Sequence, residues 1–390
     1  MSAELVDTEA ALETLIARVR AASRVALDTE FHSERTYAPR LMVVQLAFDD
    51  GEVIVDPLAL PDLLGLAQAL GETLVVGHAL SSDLKIFAER FGVVPRRVFD
   101  TQVAASFLGF GMQVSLADLV RDLRGIRLAK SQTVSDWSSR PFSPRQIEYL
   151  VDDVAHLLPM QDRLAERLRS VGRDEWAAEE HTELGDIERY RGDERRAYLR
   201  IPGAMRMNRR ELAILREVVR LRDAVARERD QPLRFVMPDD VVAGLAVLKP
   251  KRIEELAQLR RLDAGARKHL GARILEAVER GEALPESELP EKPKRALGLA
   301  RDTLVAVMGV LVGEIAFANE LPQSLLVPRA TLERVAREVP PDRATLEAAL
   351  DLSPWRLHLV ADPLWRLLSG ESRLAVEGYA TGDPKIQMVS

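Results

Sequence analysis

The chain has 390 residues, of which 47% are hydrophobic and 29% are charged, a composition typical of soluble globular proteins. It contains no cysteine, which excludes disulfides, thiolate zinc sites and a cysteine nucleophile and is compatible with a reducing cytosol. No uninterrupted apolar run is long enough to cross a bilayer, and the acidic, amphipathic first residues do not resemble a signal peptide. We therefore expect a cytoplasmic protein of roughly two to three domains, without a membrane partner.

The net charge of −7 is unevenly distributed along the chain. Residues 1–180 carry a net charge of −9, residues 201–280 carry +6, and residues 281–390 carry −4. An acidic half that binds metal and a basic module that holds a polyanion would produce this distribution, and so would solvated surfaces without a ligand. The charge distribution alone leaves both interpretations open.

The first 175 residues show alternating strand and helix patterns. The predicted elements are a helix over 8–22, strands over 24–31, 41–48 and 52–55, a helix over 58–70, a strand over 73–77, a helix over 81–91 and a strand over 98–101. Ser81 or Ser82 is the expected N-cap of the helix over 81–91. Because strands come first and then alternate with helices, we predict an α/β domain with a mixed sheet over residues 1–175.

The remaining chain reads as two helical segments with polar connections. The expected divisions are a connector (176–206), a first helical domain with breaks at Pro232, Pro238 and Pro250 (207–283), a proline-rich linker (284–296), a second helical domain (297–370) and a loosely held, Gly-rich tail (371–390). The two helical segments are similar in length, and we hypothesise that they are two diverged copies of one domain.

The stretch VALDTEF contains two carboxylates, Asp28 and Glu30, at the end of a predicted buried strand. Side chains at i and i+2 of a strand point to the same side, so both carboxylates project together. Their mutual repulsion would be relieved by a cation. Taken alone, the pair is better explained as two solvated acids at the end of a strand.

Two further acidic features follow in order. Asp83 falls in the first turn of a predicted helix, where the helix dipole alone would favour an acid. Tyr149 and Asp153 are four residues apart in QIEYLVDDVAHLLP, so a helix would present them on one side. Each feature has an ordinary structural explanation when it is taken alone.

Together, D-x-E, a later Asp and Tyr-x₃-Asp resemble the exonuclease family named for its four acids, in the variant with tyrosine (DEDDy). Within this family, the sequence around the acids most resembles bacterial ribonuclease D. The matching segments are VALDTEFHSERTYAPRLMVVQLAF, VVGHALSSDLKIF, FDTQVAASFLG and LAKSQTVSDWSSRPFSPRQIEYLVDDVAHLLP. The resemblance covers residues 20–170 almost continuously. No histidine lies between His78 and His156, which excludes the histidine variant of the family.

The resemblance implies a ribonuclease H-like mixed sheet flanked by helices, and catalysis by two divalent metal ions, Mg²⁺ or Mn²⁺. Carried over by position, the metal ligands are four carboxylates: Asp28, Glu30, Asp83 and Asp153. Tyr149 would hold the attacking water. Hard oxygen ligands suit these metals, and two ions about 4 Å apart can support an in-line displacement at phosphorus.

The resemblance also implies contacts with substrate. The residues concerned are Thr29 and Phe31 against the terminal nucleotide, Gln45 and His78 in the pocket, and Lys130, Trp137 and Arg140 near the phosphates. For two of these we keep alternatives open. The alternative for Trp137, which we favour slightly over base stacking, is a core anchor, and the alternative for Arg140 is an ion pair that fixes its loop.

The segment LRDAVARERDQPLRFVMPDD and the following GLAVLKP resemble the HRDC domain, a helical nucleic-acid-binding module that ribonuclease D carries twice. The resemblance of the second helical segment, near FANELPQSLLVPRATLERVA, is much weaker. The first module coincides with the +6 segment, so its arginines are expected to contact a phosphate backbone. The second module, with its negative charge, is expected to close the molecule around the exonuclease domain.

The implied function is 3′→5′ hydrolysis of RNA with release of 5′-mononucleotides, including 3′ trimming of tRNA precursors and other small structured RNAs with a 3′ tail, by a monomer. One alternative is a DNA-directed 3′→5′ exonuclease, because the metal chemistry is shared and the acids do not report a 2′-OH. Another is a non-catalytic RNA-binding scaffold, which would be expected to lack at least one of the acids.

Overall fold

A computed structural model describes residues 3–60, 62–128, 136–192, 194–292, 298–382 and 385–389. They form two compact units. The sheet unit comprises Met1–Thr29, Val43–Ile187 and Ala296–Ser390, and the helical unit comprises Glu30–Met42 and Glu188–Arg295. The division passes through two strands, each of which is continuous, so Asp28 and Glu30 lie on the same strand although they are assigned to different units.

One six-stranded mixed sheet organises the first part of the chain. Its strands are β1 (Glu4–Val6), β2 (Arg24–His32), β3 (Arg40–Phe48), β4 (Gly51–Val55), β5 (Leu74–Gly77) and β6 (Arg97–Asp100). Their order in the sheet is β1-β4-β3-β2-β5-β6. The pairs β1–β4, β2–β5 and β5–β6 are parallel, and β3–β4 is antiparallel. The sheet therefore places the strand that carries the D-x-E pair in its interior, between β3 and β5.

The sequence predicted this sheet apart from its edge strand. β1 has three residues and was missed, because so short a segment shows no alternation of its own and forms by parallel pairing with β4. The helix expected over 58–70 begins at Leu64. The expected serine cap at residue 81 or 82 is also wrong, since the N-cap is Leu80 and its backbone N–H donates to the Asp100 carboxylate at 2.8 Å.

Eight α-helices accompany the sheet in the described part of the chain before residue 187. They are α1 (Glu9–Ala21), α2 (Leu64–Glu72), α3 (Ser81–Phe91), α4 (Thr101–Ser106), α5 (Leu116–Arg124), α6 (Pro144–Ala155), α7 (Leu157–Ser170) and α8 (Asp174–Leu184). The core of the sheet unit joins small side chains on the strands, such as Ala26 and Val76, to apolar side chains on α4, α5 and α7. This packing fixes the strands against which a functional site can be built.

The helical unit contains a 3-10 helix (Glu194–Arg200) and a four-helix module of α9 (Arg209–Arg229), α10 (Leu233–Val236), α11 (Asp239–Leu248) and α12 (Ala264–Ala283). A short 3-10 helix spans Ile253–Gln258 between α11 and α12. Helix α9 starts with a capping box formed by Asn208 and Glu211, and its apolar side packs into a core shared with α11 and α12. α12 approaches α9 so closely that a Cβ at Gly281 would lie 2.7 Å from the backbone nitrogen of Ile214.

The second helical segment repeats the first element by element. It contains α13 (Leu299–Ala318), α14 (Gln323–Leu326), α15 (Arg329–Glu338), α16 (Arg343–Leu350) and α17 (Pro354–Leu368). Helices α13, α14, α15 and α17 begin 90 residues after α9, α10, α11 and α12, respectively. The α11 and α15 helices both follow a proline N-cap and end at a left-handed residue, Lys249 or Val339. This correspondence supports the hypothesis of a diverged pair.

The second repeat shares the core of the sheet unit. Trp355 on α17 stacks on Trp176 of α8, with ring centroids 4.9 Å apart, and meets Phe107 edge-on at 5.4 Å. Beside it, Arg356 forms a 2.6 Å ion pair with Glu180. The second repeat is thus packed against helices of the same sheet unit.

The C-terminal segment contains a β-hairpin where a loosely held tail was expected. Strands β7 (Arg373–Glu377) and β8 (Lys385–Val389) pair antiparallel, and Leu374 and Met388 pack against the core of the sheet unit. Within the described part of the chain, no helix combines the length and apolar character needed to cross a membrane.

Candidate metal centre

Three carboxylates meet at the end of β2. Asp28, Glu30 and Asp153 each offer an oxygen, and these oxygens all lie within 4.8 Å of one another. The first two project together because they are two residues apart on a strand, as the sequence predicted. Three half-buried acids at this separation repel one another in the absence of a cation, which gives the cluster the charge and the oxygen donors of a divalent-metal site.

Helix α6 brings the third carboxylate to the strand. It begins with a capping box between Ser143 and Gln146 and has Pro144 in its first turn. One turn separates Tyr149 from Asp153, and the Tyr149 hydroxyl donates a hydrogen bond to the Asp153 carboxylate. The two residues of the predicted Tyr-x₃-Asp pair are therefore joined by a hydrogen bond at the cluster.

The state of Asp153 shows that this site fits a cation. Burial raises the pKa of Asp153 to about 7, and the hydrogen bond from Tyr149 offsets only part of that effect. Its Oδ2 atom is buried and has no hydrogen-bond partner among the residues that the structure describes. A buried carboxylate oxygen without a partner is costly, and a metal ion would both satisfy it and keep the group ionised.

Asp83 lies beside this cluster and is not part of it. Its carboxylate accepts a hydrogen bond from the Thr29 hydroxyl, and both side chains are buried, with 6% of their surface exposed. Burial raises the pKa of Asp83 to about 6, while the Thr29 hydrogen bond acts in the opposite direction. The structure therefore assembles three of the four predicted acids and holds the fourth through the residue between Asp28 and Glu30.

Asp100 is a positioning residue that the sequence analysis did not single out. Its buried carboxylate accepts backbone N–H groups from Ala79 at 3.0 Å and Leu80 at 2.8 Å, and it also caps α4 through Gln102 at 2.8 Å. This ties the turn before α3, and hence Asp83, to the end of β6. The signal in the sequence was an Asp between a short strand and a helix, the usual place of an N-cap.

Gln45 and His78 occupy different environments. Gln45 is fully buried on β3, and neither atom of its amide has a hydrogen-bond partner in the described residues. The ring of His78 is held by Thr101 Oγ1 at 2.9 Å and by the Val114 carbonyl at 3.0 Å, and burial lowers its pKa. Both His78 nitrogens are thus engaged with the protein, whereas the Gln45 amide still lacks partners. Phe31 is half-buried on β2.

The loop before α6 gives a structural explanation for two of the predicted substrate contacts. Trp137 is 5% exposed, and its ring lies 5.7 Å from that of Tyr149. Arg140 binds Asp56 in a bidentate ion pair, from Nε at 2.6 Å and from Nη2 at 2.7 Å. Both alternatives that we kept open, the core anchor and the ion pair, are therefore present. Lys130 lies outside the described residues.

Comparison with known proteins assigns both parts of the chain to families. Residues 3–169 match the family described as 3′-5′ exonuclease, and residues 211–278 match the HRDC domain family. Exonuclease domains of this fold generally use divalent metal ions, for which Asp28, Glu30 and Asp153 form a candidate site. The first helical module is thus an HRDC domain, as the sequence predicted.

Similarity to individual proteins extends over nearly the whole chain. The chain is 37% identical to ribonuclease D of Acidiphilium cryptum, over 96% of this chain and 95% of that one, and 31% identical to ribonuclease D of Escherichia coli, over 94% and 99%. The crystal structure of Escherichia coli RNase D, described as an exoribonuclease involved in structured RNA processing, matches with a TM-score of 0.83 and 29% identity, over 95% of this chain and 99% of that one. The resemblance first noted in the motifs is confirmed, and the chain belongs to the ribonuclease D family of 3′-5′ exoribonucleases.

Proposed function

We propose that Asp28, Glu30, Asp83 and Asp153 hold two divalent metal ions, Mg²⁺ or Mn²⁺, and that this site removes nucleotides one at a time from the 3′ end of RNA as 5′-mononucleotides. The observation that carries the proposal is that Asp28, Glu30 and Asp153 each place an oxygen within 4.8 Å of the others, and that the buried Oδ2 of Asp153 has no hydrogen-bond partner in the described structure. When bound, two such ions supply a nucleophilic hydroxide and stabilise the charge on the leaving oxygen.

The residues of the chain supply orientation and proton control. Tyr149, fixed by its hydrogen bond to Asp153 and by the ring of Trp137, presents its phenol oxygen to a water beside the cluster. A water held there is aligned for attack on the phosphorus of the terminal phosphodiester. Asp28 and Glu30 stay fixed because they lie on an interior strand rather than on a loop.

Asp83 would take part in binding the second ion. Its carboxylate is bound to the Thr29 hydroxyl, next to Asp28 in sequence, so its reach toward the cluster is limited. A rotation about its side-chain bonds would exchange the hydroxyl for a metal, which is favourable because burial alone penalises the ionised form. We assign Thr29 to hold Asp83 in place before the ion binds.

The substrates we propose are tRNA precursors and other small structured RNAs with an unpaired 3′ tail. The support is the similarity to Escherichia coli RNase D, which is described as acting in structured RNA processing. We further propose that the protein acts as a monomer in the cytoplasm, where such precursors are trimmed. The predicted contacts with the substrate remain predictions for all seven residues: Thr29, Phe31, Gln45, His78, Lys130, Trp137 and Arg140.

The proposal is tested with a 5′-labelled, tRNA-like RNA with a 3′ tail and the matching DNA, each incubated with Mg²⁺, with Mn²⁺ and with chelator. We expect a ladder of single-nucleotide steps on RNA that disappears with chelator. Two neighbouring substitutions provide a matched pair, Asp153→Asn and Asp152→Asn, because each removes one carboxylate from α6 and only the first lies in the cluster.

The rate of RNA hydrolysis by the Asp153→Asn enzyme should fall by more than the roughly 10–100-fold that is typical when a residue behind the metal ligands is removed. Mn²⁺ should also bind to this variant more weakly. The Asp152→Asn enzyme should retain most of its rate. If DNA is degraded in the same single-nucleotide steps as RNA, the result would favour the alternative of a DNA-directed exonuclease. RNA binding without laddering under either metal would refute the catalytic role of the cluster.

A further inference from the structure

The strand that carries Asp28 and Glu30 extends beyond its parallel neighbour. The pairing of β5 with β2 ends at Ala26, whereas β2 continues to His32. Both carboxylates follow the last residue of that pairing. Their positions therefore depend on β3, the other neighbour of β2 in the sheet, and on the loop 33–39 that joins the two strands.

Tyr37 fastens this loop to helix α9. Its hydroxyl donates a hydrogen bond to Asp223 Oδ1 at 2.7 Å and accepts one from Arg227 Nε at 2.8 Å. Its backbone N–H donates to Asp230 Oδ1 at 3.1 Å. The Arg227 guanidinium also lies over the tyrosine ring, with its carbon 5.3 Å from the centroid, and the ring packs against the core of the helical unit. Side chain and main chain of one loop residue are thus both held by the helix.

The three partners of Tyr37 lie on one side of α9. Asp223, Arg227 and Asp230 occupy positions i, i+4 and i+7, which a helix places in one row. Arg227 also pairs with Asp223 at 3.0 Å, so the two groups that bind the hydroxyl fix each other. Because the opposite side of α9 is packed into the core of the helical unit, this row is a rigid support for the loop.

The second repeat shows that the helix itself does not need these contacts. Helix α13 begins 90 residues after α9, and the positions of Asp223 and Arg227 correspond to Gly313 and Phe317. The corresponding helix therefore forms with neither the ion pair nor a partner for a tyrosine hydroxyl at these positions. This difference indicates that Asp223 and Arg227 serve the loop rather than the helix.

We propose that Tyr37 is a positioning residue for the metal centre, through which α9 of the HRDC domain holds the end of β2 and with it the Glu30 carboxylate. The inference rests on the proposed function, because it takes Glu30 as a metal ligand. Tyr37 follows Glu30 by only seven residues, so a released loop also releases the last residues of the strand. A metal ion binds more tightly to ligands that are already held in place, because less freedom is lost on binding.

The test uses the full chain with the double substitution Tyr37→Phe, Asp230→Gly. Phenylalanine keeps the ring and removes the hydroxyl with its two hydrogen bonds. Glycine removes the acceptor of the Tyr37 N–H and favours the left-handed conformation at residue 230, so the end of α9 is retained. The matched control is Glu228→Gln, which removes one negative charge from the same end of α9 and breaks an ion pair with Arg273 at 2.9 Å.

Binding of Mn²⁺ is measured by the loss of the EPR signal of the free ion, independently of hydrolysis. We expect the dissociation constant to rise about 10-fold in the double variant, because residues behind the metal ligands typically contribute roughly 10–100-fold. Tyr37→Phe alone keeps the bond from the Tyr37 N–H to Asp230 and should show a smaller rise. Glu228→Gln should bind Mn²⁺ like the wild type.

Hydrolysis of bis(p-nitrophenyl) phosphate provides a second measurement, since this small ester needs only the carboxylate cluster. At limiting Mn²⁺ its rate should fall in the double variant by about the same factor as the affinity, and excess Mn²⁺ should restore most of it. A merely structural role of Tyr37 would lower the melting temperature and leave the affinity for Mn²⁺ unchanged, and this result would overturn the proposal. The same criterion applies to Tyr37→Phe alone if the double variant does not fold.

The Asp153→Asn variant separates this inference from the proposed function. If that variant loses Mn²⁺ binding while the double variant binds Mn²⁺ like the wild type, the metal centre stands and the role of Tyr37 is refuted. If the wild type and Asp153→Asn bind Mn²⁺ equally, the metal centre itself is refuted, and the role of Tyr37 with it.

Discussion

Arg140 allows a direct test between the role predicted from the sequence and the role indicated by the structure. The sequence resemblance makes it a substrate contact, whereas the structure shows a bidentate ion pair with Asp56 at 2.6 and 2.7 Å. The Asp56 side chain is 8% exposed and that of Arg140 is 24% exposed. The Arg140 guanidinium also donates to the carbonyl oxygens of Trp137 at 2.7 Å and Ser139 at 2.9 Å.

Replacing Arg140 by alanine leaves the Asp56 carboxylate buried without its partner. Removing one member of a fully buried pair costs about 3–5 kcal/mol, and the partial exposure of Arg140 reduces this to about 2–4 kcal/mol. Asp56 keeps one strong hydrogen bond, from the backbone N–H of Leu58 at 2.9 Å, which limits the loss. We expect the free energy of unfolding to fall by this amount in urea denaturation.

The pH dependence fixes the origin of the loss. Burial raises the pKa of Asp56, but the hydrogen bonds from Arg140 and Leu58 outweigh it and hold the pKa below its ordinary value. The unfolded state then binds more protons than the folded state, so the contribution of the pair is full above the unfolded pKa and is lost as pH falls through the folded one. The difference in stability between wild type and Arg140→Ala should therefore shrink below about pH 4.

The same variant is assayed for hydrolysis of RNA below its unfolding transition. If Arg140 holds the loop, its loss should change kcat because Trp137 and Tyr149 are displaced. KM for RNA should stay within about threefold of the wild-type value, a difference of less than 1 kcal/mol. A loss of stability below about 0.5 kcal/mol together with a large rise in KM would refute the ion-pair explanation and favour a phosphate contact.

Three further predictions concern packing and positioning. Gly281→Ala should lower the free energy of unfolding by about 1–3 kcal/mol in urea denaturation, because its Cβ would meet the backbone of Ile214. Asp100→Ala should cost about 2–4 kcal/mol by leaving buried N–H groups without an acceptor, and it should also reduce the hydrolysis rate by loosening the turn before α3. Tyr37→Phe removes the 2.7 Å hydrogen bond to Asp223 and costs about 1 kcal/mol, and it should accelerate amide exchange over residues 33–39.

Each of these has an outcome that contradicts it. Unchanged stability of Gly281→Ala would mean that α9 and α12 are further apart than described. If the Asp100→Ala enzyme has lowered stability but an unaltered rate of hydrolysis, the hydrogen bonds of Asp100 do not control the position of Asp83. Unchanged exchange at residues 33–39 in Tyr37→Phe would show that the loop is held by other contacts.

The sequence determined much of the site because its chemistry is carried by local patterns. Alternation along VALDTEF placed Asp28 and Glu30 on one side of a strand, and a spacing of four placed Tyr149 beside Asp153 on a helix. The strands from β2 to β6 were predicted for the same reason, since each shows its own apolar pattern. The assignment to the exonuclease and HRDC families follows from such motifs in order.

Contacts between distant parts of the chain were decided by the tertiary structure. Strand β1 exists only through its pairing with β4, and Arg140 meets Asp56 across 84 residues. The Thr29–Asp83 hydrogen bond, which keeps one acid apart from the other three, spans 54 residues. No local pattern encodes these contacts, because the free energy that forms them comes from burial and pairing of groups that meet only after folding.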